Sequence, residues 1–242
     1  MASVYSLAST PGGGVPKITS FLTSGTFTAD PLAKYTVVEM VGGGGAGGAP
    51  TNGTSGSIGT GAGGNSGAYV KVQLTPAQIG VSQLVTIGAG GIGTNNSVGS
   101  SGGSSIFGGF ITANGGAGGG NALANNNTNG FLQYPLQSAR ASFSINTGID
   151  LGSSYGDLGE RHPVSYSTLF VMILSNSGAN SRWGSGAIGS YSNATLATNL
   201  ASNGVAATGF GAGGSSAYIT GIGGVIAGGS GTAGKIIITE YF

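Results

Sequence analysis

The chain of 242 residues contains no cysteine and a single histidine, which excludes a disulfide framework, a thiolate metal site and a histidine cluster. Only 5% of its residues are charged, and its formal net charge is +1. An ordinary globular surface carries about a quarter charged residues, so this surface is not solvated by charge. With no basic stripe, nucleic acid is not an expected partner. The longest apolar stretch, "TLFVMIL" at 168–174, is too short to span a bilayer, so no membrane insertion is expected. The N-terminal "MASVYSLASTPGGGVPK" lacks the charged start and continuous apolar core of a secretory signal. Seven prolines, and glycines that do not recur at every third position, exclude collagen.

What is abundant is glycine, 53 residues, about three times average usage. Mean hydropathy is +0.23 and hydrophobic content is 39%, values at odds with a disordered chain and sufficient for a core. The pattern repeats: a strand-like run gives way to a glycine run. "KYTVVEMV" leads into "GGGGAGGA", "QLVTI" into "GAGGIG", and "SSIFGGFITA" into "NGGAGGG". Near the C-terminus "TGFGAGGSSAYITGIGGVIAGGSGTAG" feeds the last strand, "KIIITEYF". Val, Ile, Thr, Tyr and Phe dominate the strand-like runs. No long helix is expected, and "LTPAQIGVSQL" supports at most one turn because Gly80 interrupts it.

An ordered glycine run has one good use. Polyproline II backbone has about three residues per turn and no internal hydrogen bonds, so its amides and carbonyls point outward. Where side chains are missing, neighbouring helices approach closely enough to bond one another. The expected fold is therefore all-β: an antiparallel, sandwich-like body with packed polyglycine II segments. Residues 1–24 read as an irregular arm and 25–242 as a single glycine-rich β domain, with a more varied insertion at about 131–206.

Motifs for chemistry fail on context. "GAGGIG" at 88–93 and "GFGAGG" at 209–214 fit a dinucleotide fingerprint, but no helix follows either. "GSGTAGKI" at 229–236 resembles a phosphate loop, yet Ile236 stands where a hydroxyl would bind magnesium and a strand follows. His162 has Asp157, Glu160 and Arg161 near it in sequence, but no serine lies in a nucleophile context. No enzyme activity, cofactor or metal is expected. The insertion holds the only tryptophan and all three arginines. Trp, Tyr and Arg anchor interfaces, and aromatic faces stack on sugars. The candidate binding residues are Arg182, Trp183, Tyr191, Tyr155, Arg161 and His162. "NSRWGSG" and "IGSYSNATL" read as loop tips, and "YSTLFVMIL" as a buried strand.

The order of these motifs resembles the glycine-rich distal domains of bacteriophage tail fibres over residues 24–130 and 205–242. "SGTFTADPLAKYTVVEMVGGGGAGGA" is similar to their opening strand pair and first glycine run, and "GTAGKIIITEYF" to their closing strand. The resemblance implies a virion tip protein, an adhesin that recognises a bacterial surface glycan or outer-membrane protein. It also implies docking on other tail or fibre proteins through residues 1–24, as a homotrimer or as a monomeric tip on a trimeric shaft. The alternatives are a structural virion decoration and an ice-binding bundle, the latter disfavoured by irregular Thr and Ala spacing.

Overall fold

The computed structural model describes residues 2–6, 14–51, 57–121, 135–162, 165–166, 171–194, 199–221 and 224–242. Its elements in chain order are β1 (Ala2–Ser6), β2 (Lys17–Phe21), β3 (Gly25–Thr28), β4 (Tyr35–Val41), β5 (Ile58–Thr60), β6 (Tyr69–Leu74), the single turn α1 (Pro76–Ile79), β7 (Ser82–Thr86), β8 (Ser105–Phe107), β9 (Ile111–Ala113) and β10 (Phe143–Ile145). There follow β11 (Ile149–Asp150), β12 (Ser165–Tyr166), β13 (Val171–Leu174), β14 (Trp183–Ser185), β15 (Tyr191–Ala194), β16 (Leu200–Ser202), β17 (Thr208–Phe210), β18 (Tyr218–Thr220) and β19 (Lys235–Tyr241).

Two antiparallel sheets form a sandwich. One has the order β1-β2-β19-β4-β6-β11 and the other β10-β9-β8-β7-β3. Alternation along the strands decides what is buried. In β4 the side chains of Val38 and Met40 point inward, in β6 Val70 and Val72, and in β19 Ile236 and Ile238. They meet Phe27, Val85, Phe107 and Ile111 of the second sheet. The Phe27 and Phe107 rings lie 5.9 Å apart within this layer. The helix is as short as Gly80 requires: Pro76 opens it, the Gln78 Oε1 accepts the Thr75 N–H at 2.8 Å, and Gly80 closes it at φ +69°.

Residues 17–21 are not irregular. They form β2, wedged between β1 and β19, with Thr19 and Phe21 buried. At one end of this strand Lys17 serves the core directly. Glu240 continues the inward-facing row of β19 and is fully buried. Its Oε1 accepts the Asp30 N–H at 2.6 Å, and its Oε2 lies 3.3 Å from the Lys17 ammonium.

Beyond the sandwich the glycine runs pack as a lattice of rods. The run 42–49 leaves β4 and is completely buried. All eight of its amides donate, in three directions that repeat every third residue. Gly42, Gly45 and Gly48 donate to Ala68, Asn65 and Ala62, and Gly43, Ala46 and Ala49 to Gly103, Ser100 and Ser97. Gly44 and Gly47 donate to Thr232 and Gly229. Its carbonyls accept from three further segments: Gly43 and Ala46 from Gly116 and Gly119, Gly45 and Gly48 from Gly214 and Ala217, and Gly44 from Gly91. Six neighbours around one rod with a three-residue repeat is the geometry of packed polyglycine II.

The insertion also contributes rods, with glycine at 156, 159 and 178, where a Cβ would lie 1.8–2.4 Å from a neighbouring carbonyl oxygen. Glu160 and Asp157 accept from Gly63 and Ser66, and Ala179 donates to Gly64. Buried amide side chains bond these rods as well. Asn65 Oδ1 accepts the Gly159 N–H at 3.0 Å, and the Asn65 amide donates to the Ala139 carbonyl at 3.1 Å. A small sheet of order β16-β18-β5 lies at the far side of the lattice.

A Cβ on Gly44 would lie 2.0 Å from the Ala212 carbonyl oxygen, whereas one on Gly224 would meet nothing within 4 Å. Gly44→Ala should therefore cost about 3 kcal/mol or more and lower the thermal midpoint sharply, with Gly224→Ala close to neutral in the same calorimetric scan. Lys17→Met should destabilise by about 3–5 kcal/mol by stranding Glu240, and Lys17→Met/Glu240→Met should recover most of that loss.

Candidate functional site

Register along the rods orders the surface by height. Rod 42–49 starts at the sandwich with Gly42 and ends at Ala49. At about 3.1 Å per residue, Ala49 lies about 25 Å from Val41, the last residue of β4. The level of Val41 and Tyr69 is here called the waist, and the level of Ala49 and β18 the tip. The six sequence-predicted residues divide between these levels.

Arg182, Trp183 and Tyr155 lie at the waist. "NSRWGSG" is not a loop tip: Trp183 begins β14, which pairs with β17 and places Trp183 opposite Phe210. The half-buried indole meets the Tyr69 ring edge-on, with centroids 5.6 Å apart at 89°. The Arg182 guanidinium stands over the Tyr69 ring at 5.6 Å, and Lys235 over the Phe210 ring at 4.9 Å. The Tyr69 hydroxyl donates to Glu39 Oε2 at 2.6 Å, and Glu39 Oε1 lies 3.2 Å from the Lys71 ammonium. Burial first, and then the Glu39 carboxylate, hold the Tyr69 phenol above the ordinary tyrosine range, so it remains a proton donor. Tyr155 stands apart from this array, exposed and tilted against Phe143 at 5.3 Å.

Arg161, His162 and Tyr191 lie toward the tip. Of "IGSYSNATL", Tyr191–Ala194 form β15, which pairs with β13, and Tyr191 is 75% exposed, while 195–196 lie outside the described residues. Of "YSTLFVMIL", Tyr166 ends β12 and Val171–Leu174 is strand with Leu174 half-buried, while 167–170 lie outside the described residues. His162 Nε2 lies 3.6 Å from Glu160, whose carboxyl is held below the usual glutamate range by the Ser177 hydroxyl first, and then by the Ser177 amide and His162. Any stability linked to Glu160 is thus present above the ordinary glutamate pKa and lost as pH falls through its lower folded value. The structure does not unite the six residues into one site.

Sequence reasoning missed other exposed residues along the rods. Ile92, Val98, Leu136, Ile188, Val205 and Val225 are all more than half exposed, Ile188 at 80%. Two shallow grooves run along the rods here. One, of about 370 Å³, is lined by Ser185, Ala187, Ile188, Val205, Ala206 and Thr208. The other, of about 510 Å³, is lined by Val98, Ser101, Gly118, Leu136, Gln137 and Ser138. Neither has a charged lining residue. Isolated Ile or Val residues in a glycine-rich stretch carry no sequence signal of exposure, because the lattice burial that distinguishes Ala46 from Ile92 is a tertiary property.

The glycines of "GAGGIG" are spent on the lattice, with the Gly91 amide bonded to Gly44 and the Gly88 amide to the Ser105 hydroxyl. Among the described residues no group of three or more His, Asp or Glu could hold a metal ion.

The structure is thus an all-β sandwich extended by a polyglycine lattice. The family model of the Glycine-rich domain matches residues 20–241, and the chain belongs to that family. None of the curated proteins compared with the chain matches it.

Removing the Tyr69 hydroxyl tests the waist array. Tyr69→Phe should cost about 1–3 kcal/mol in denaturant unfolding, because Glu39 then loses a short hydrogen bond, while Lys71→Gln at the half-exposed end of the array should cost less than about 1 kcal/mol.

Proposed function

We propose that this protein is a non-enzymatic tail-fibre tip, or adhesin, of a bacteriophage, which recognises a receptor on the bacterial surface. The observation that supports this reading best is the distribution of surface chemistry along the rods. Lys17, Lys34, Lys71, Lys235, Asp30, Glu39, Asp150 and Glu240 belong to the sandwich strands or the turns beside them, and Arg182 to the waist. Arg140 and Asp157 lie on rods between these levels, and at the tip the charged side chains and imidazole are Glu160, Arg161 and His162 among the described residues, beside the exposed side chains of Val98, Leu136, Val225 and Tyr191.

A tip of this composition suits contact by apolar burial and by Ser, Thr and Asn hydrogen bonds rather than by charge. The lattice supplies the stiffness. A rod whose every amide is bonded to a neighbour cannot bend without breaking several bonds at once, so the side chains at its end are held in place before binding, which lowers the entropy cost of association.

Purified protein should compete with phage adsorption to host cells. Ile188→Asp/Tyr191→Ala should weaken cell binding at least tenfold, roughly 1.4 kcal/mol or more, with an unchanged thermal midpoint. Wild-type protein that neither binds cells nor competes would instead favour a structural decoration of the virion.

A further inference from the structure

The outer face of the six-stranded sheet is the second place where surface chemistry is concentrated. Antiparallel sheets that face water on one side place polar residues there. Here the outward positions include Ile18 of β2, Ile237 and Tyr241 of β19, and Tyr35 and Val37 of β4. Val37 is only 8% exposed, and Tyr35 and Tyr241 stack at 4.6 Å. At the waist end of this apolar floor stands the array Lys235, Phe210, Trp183, Tyr69 and Arg182, flanked by Glu39 and Lys71.

The charge of this face is lopsided. It holds three cations, Lys71, Arg182 and Lys235, and one carboxylate, Glu39, on a chain whose total formal charge is +1. Of the other nearby acids, Asp30 and Glu240 are turned to Lys17, and Asp150 sits opposite Val72, whose side chain is in the core. Lys71 is neutralised by Glu39. Arg182 and Lys235 have no carboxylate within ion-pair distance among the described residues. They are held up on aromatic rings, which orient a cation while leaving its charge unpaired.

We infer that this face is an attachment surface for a protein segment in extended conformation that presents Asp or Glu side chains. Three features favour such a partner over a sugar. The Tyr69 and Phe210 rings already carry a cation, and Trp183 is turned edge-on to Tyr69, so the array does not offer the stacking platform of a saccharide site. Lys235, Val41 and Tyr69 form one row across three strands, which sets the two cations over a row about 10 Å wide. An extended strand places its alternate side chains about 7 Å apart on one face, close enough for two carboxylates to reach both cations. The face also lies about 25 Å from the tip, so both ends can be engaged together. In this last respect the inference rests on the tip reading above.

Trp183 is the only tryptophan, so its fluorescence reports on the site itself. The probe is a ten-residue peptide of alternating Glu and Thr, with a Gln and Thr peptide as the neutral control. The acidic peptide should change Trp183 emission saturably, bind at least tenfold more weakly when salt is raised from about 20 to about 300 mM, and lose at least tenfold in affinity to Arg182→Gln/Lys235→Gln. That variant should stay folded, its thermal midpoint lowered by no more than a few degrees by the loss of two cation–π contacts, and bind host cells as well as wild type does. Equal binding of the neutral peptide, unchanged affinity of the variant, or no saturable response would overturn the inference. Tighter binding of an oligogalacturonate than of the peptide would overturn it in favour of an anionic glycan. Failure of the tip reading is scored separately, by cell binding alone, and leaves the peptide result standing.

Discussion

The molecule depends on how closely one backbone can approach another. In the rod 42–49 three adjacent directions are filled by neighbouring carbonyls, and an added methyl on Gly43, Gly44 or Gly45 would fall about 2 Å from one of them. Without that approach eight amides would lie buried and unbonded, at about 1–3 kcal/mol each, which no small sandwich could offset. With it, a region nearly without side chains becomes as well bonded as a sheet, and the hydrophobic core is left to the sandwich at one end.

This division of labour explains the surface. Charged residues are scarce because the lattice interior holds backbone and small side chains, and its outer rods end in Ser, Asn and Thr that bond neighbouring amides. The charges that remain sit mainly on the sandwich, where strands of ordinary composition permit ion pairs such as Lys71 with Glu39. The tip is left to the residues at rod ends, and the waist to the residues that seal the junction between sandwich and lattice. Two chemically different surfaces thus arise from one packing rule.

Much of the fold was legible in the sequence. Alternation in "KYTVVEMV" and "KIIITEYF" identified strands and their inward faces, and the glycine runs that follow strands implied polyglycine II packing. The insertion was harder to read. Its rods at 154–160 and 175–179 carry glycine only at 156, 159 and 178, and they join the lattice through close backbone approach there and through Asn65 and Ser66, which reach across to bond their backbone. That exchange of side chain for backbone has no local pattern. For the same reason Trp183 and Tyr191, eight residues apart and both read as loop residues, proved to be strand residues at opposite ends of one rod.

By itself the sequence determined the class: glycine spacing and strand alternation act within a few residues of one another, and they dictate strands, rods and the absence of long helices. The tertiary structure alone decided which glycine run is central, since six partners from distant parts of the chain must converge on 42–49. It also decided that Arg182 and Lys235 share a face while Tyr191 lies about 25 Å away, because position along a rod depends on hydrogen-bond register with neighbours rather than on distance along the chain.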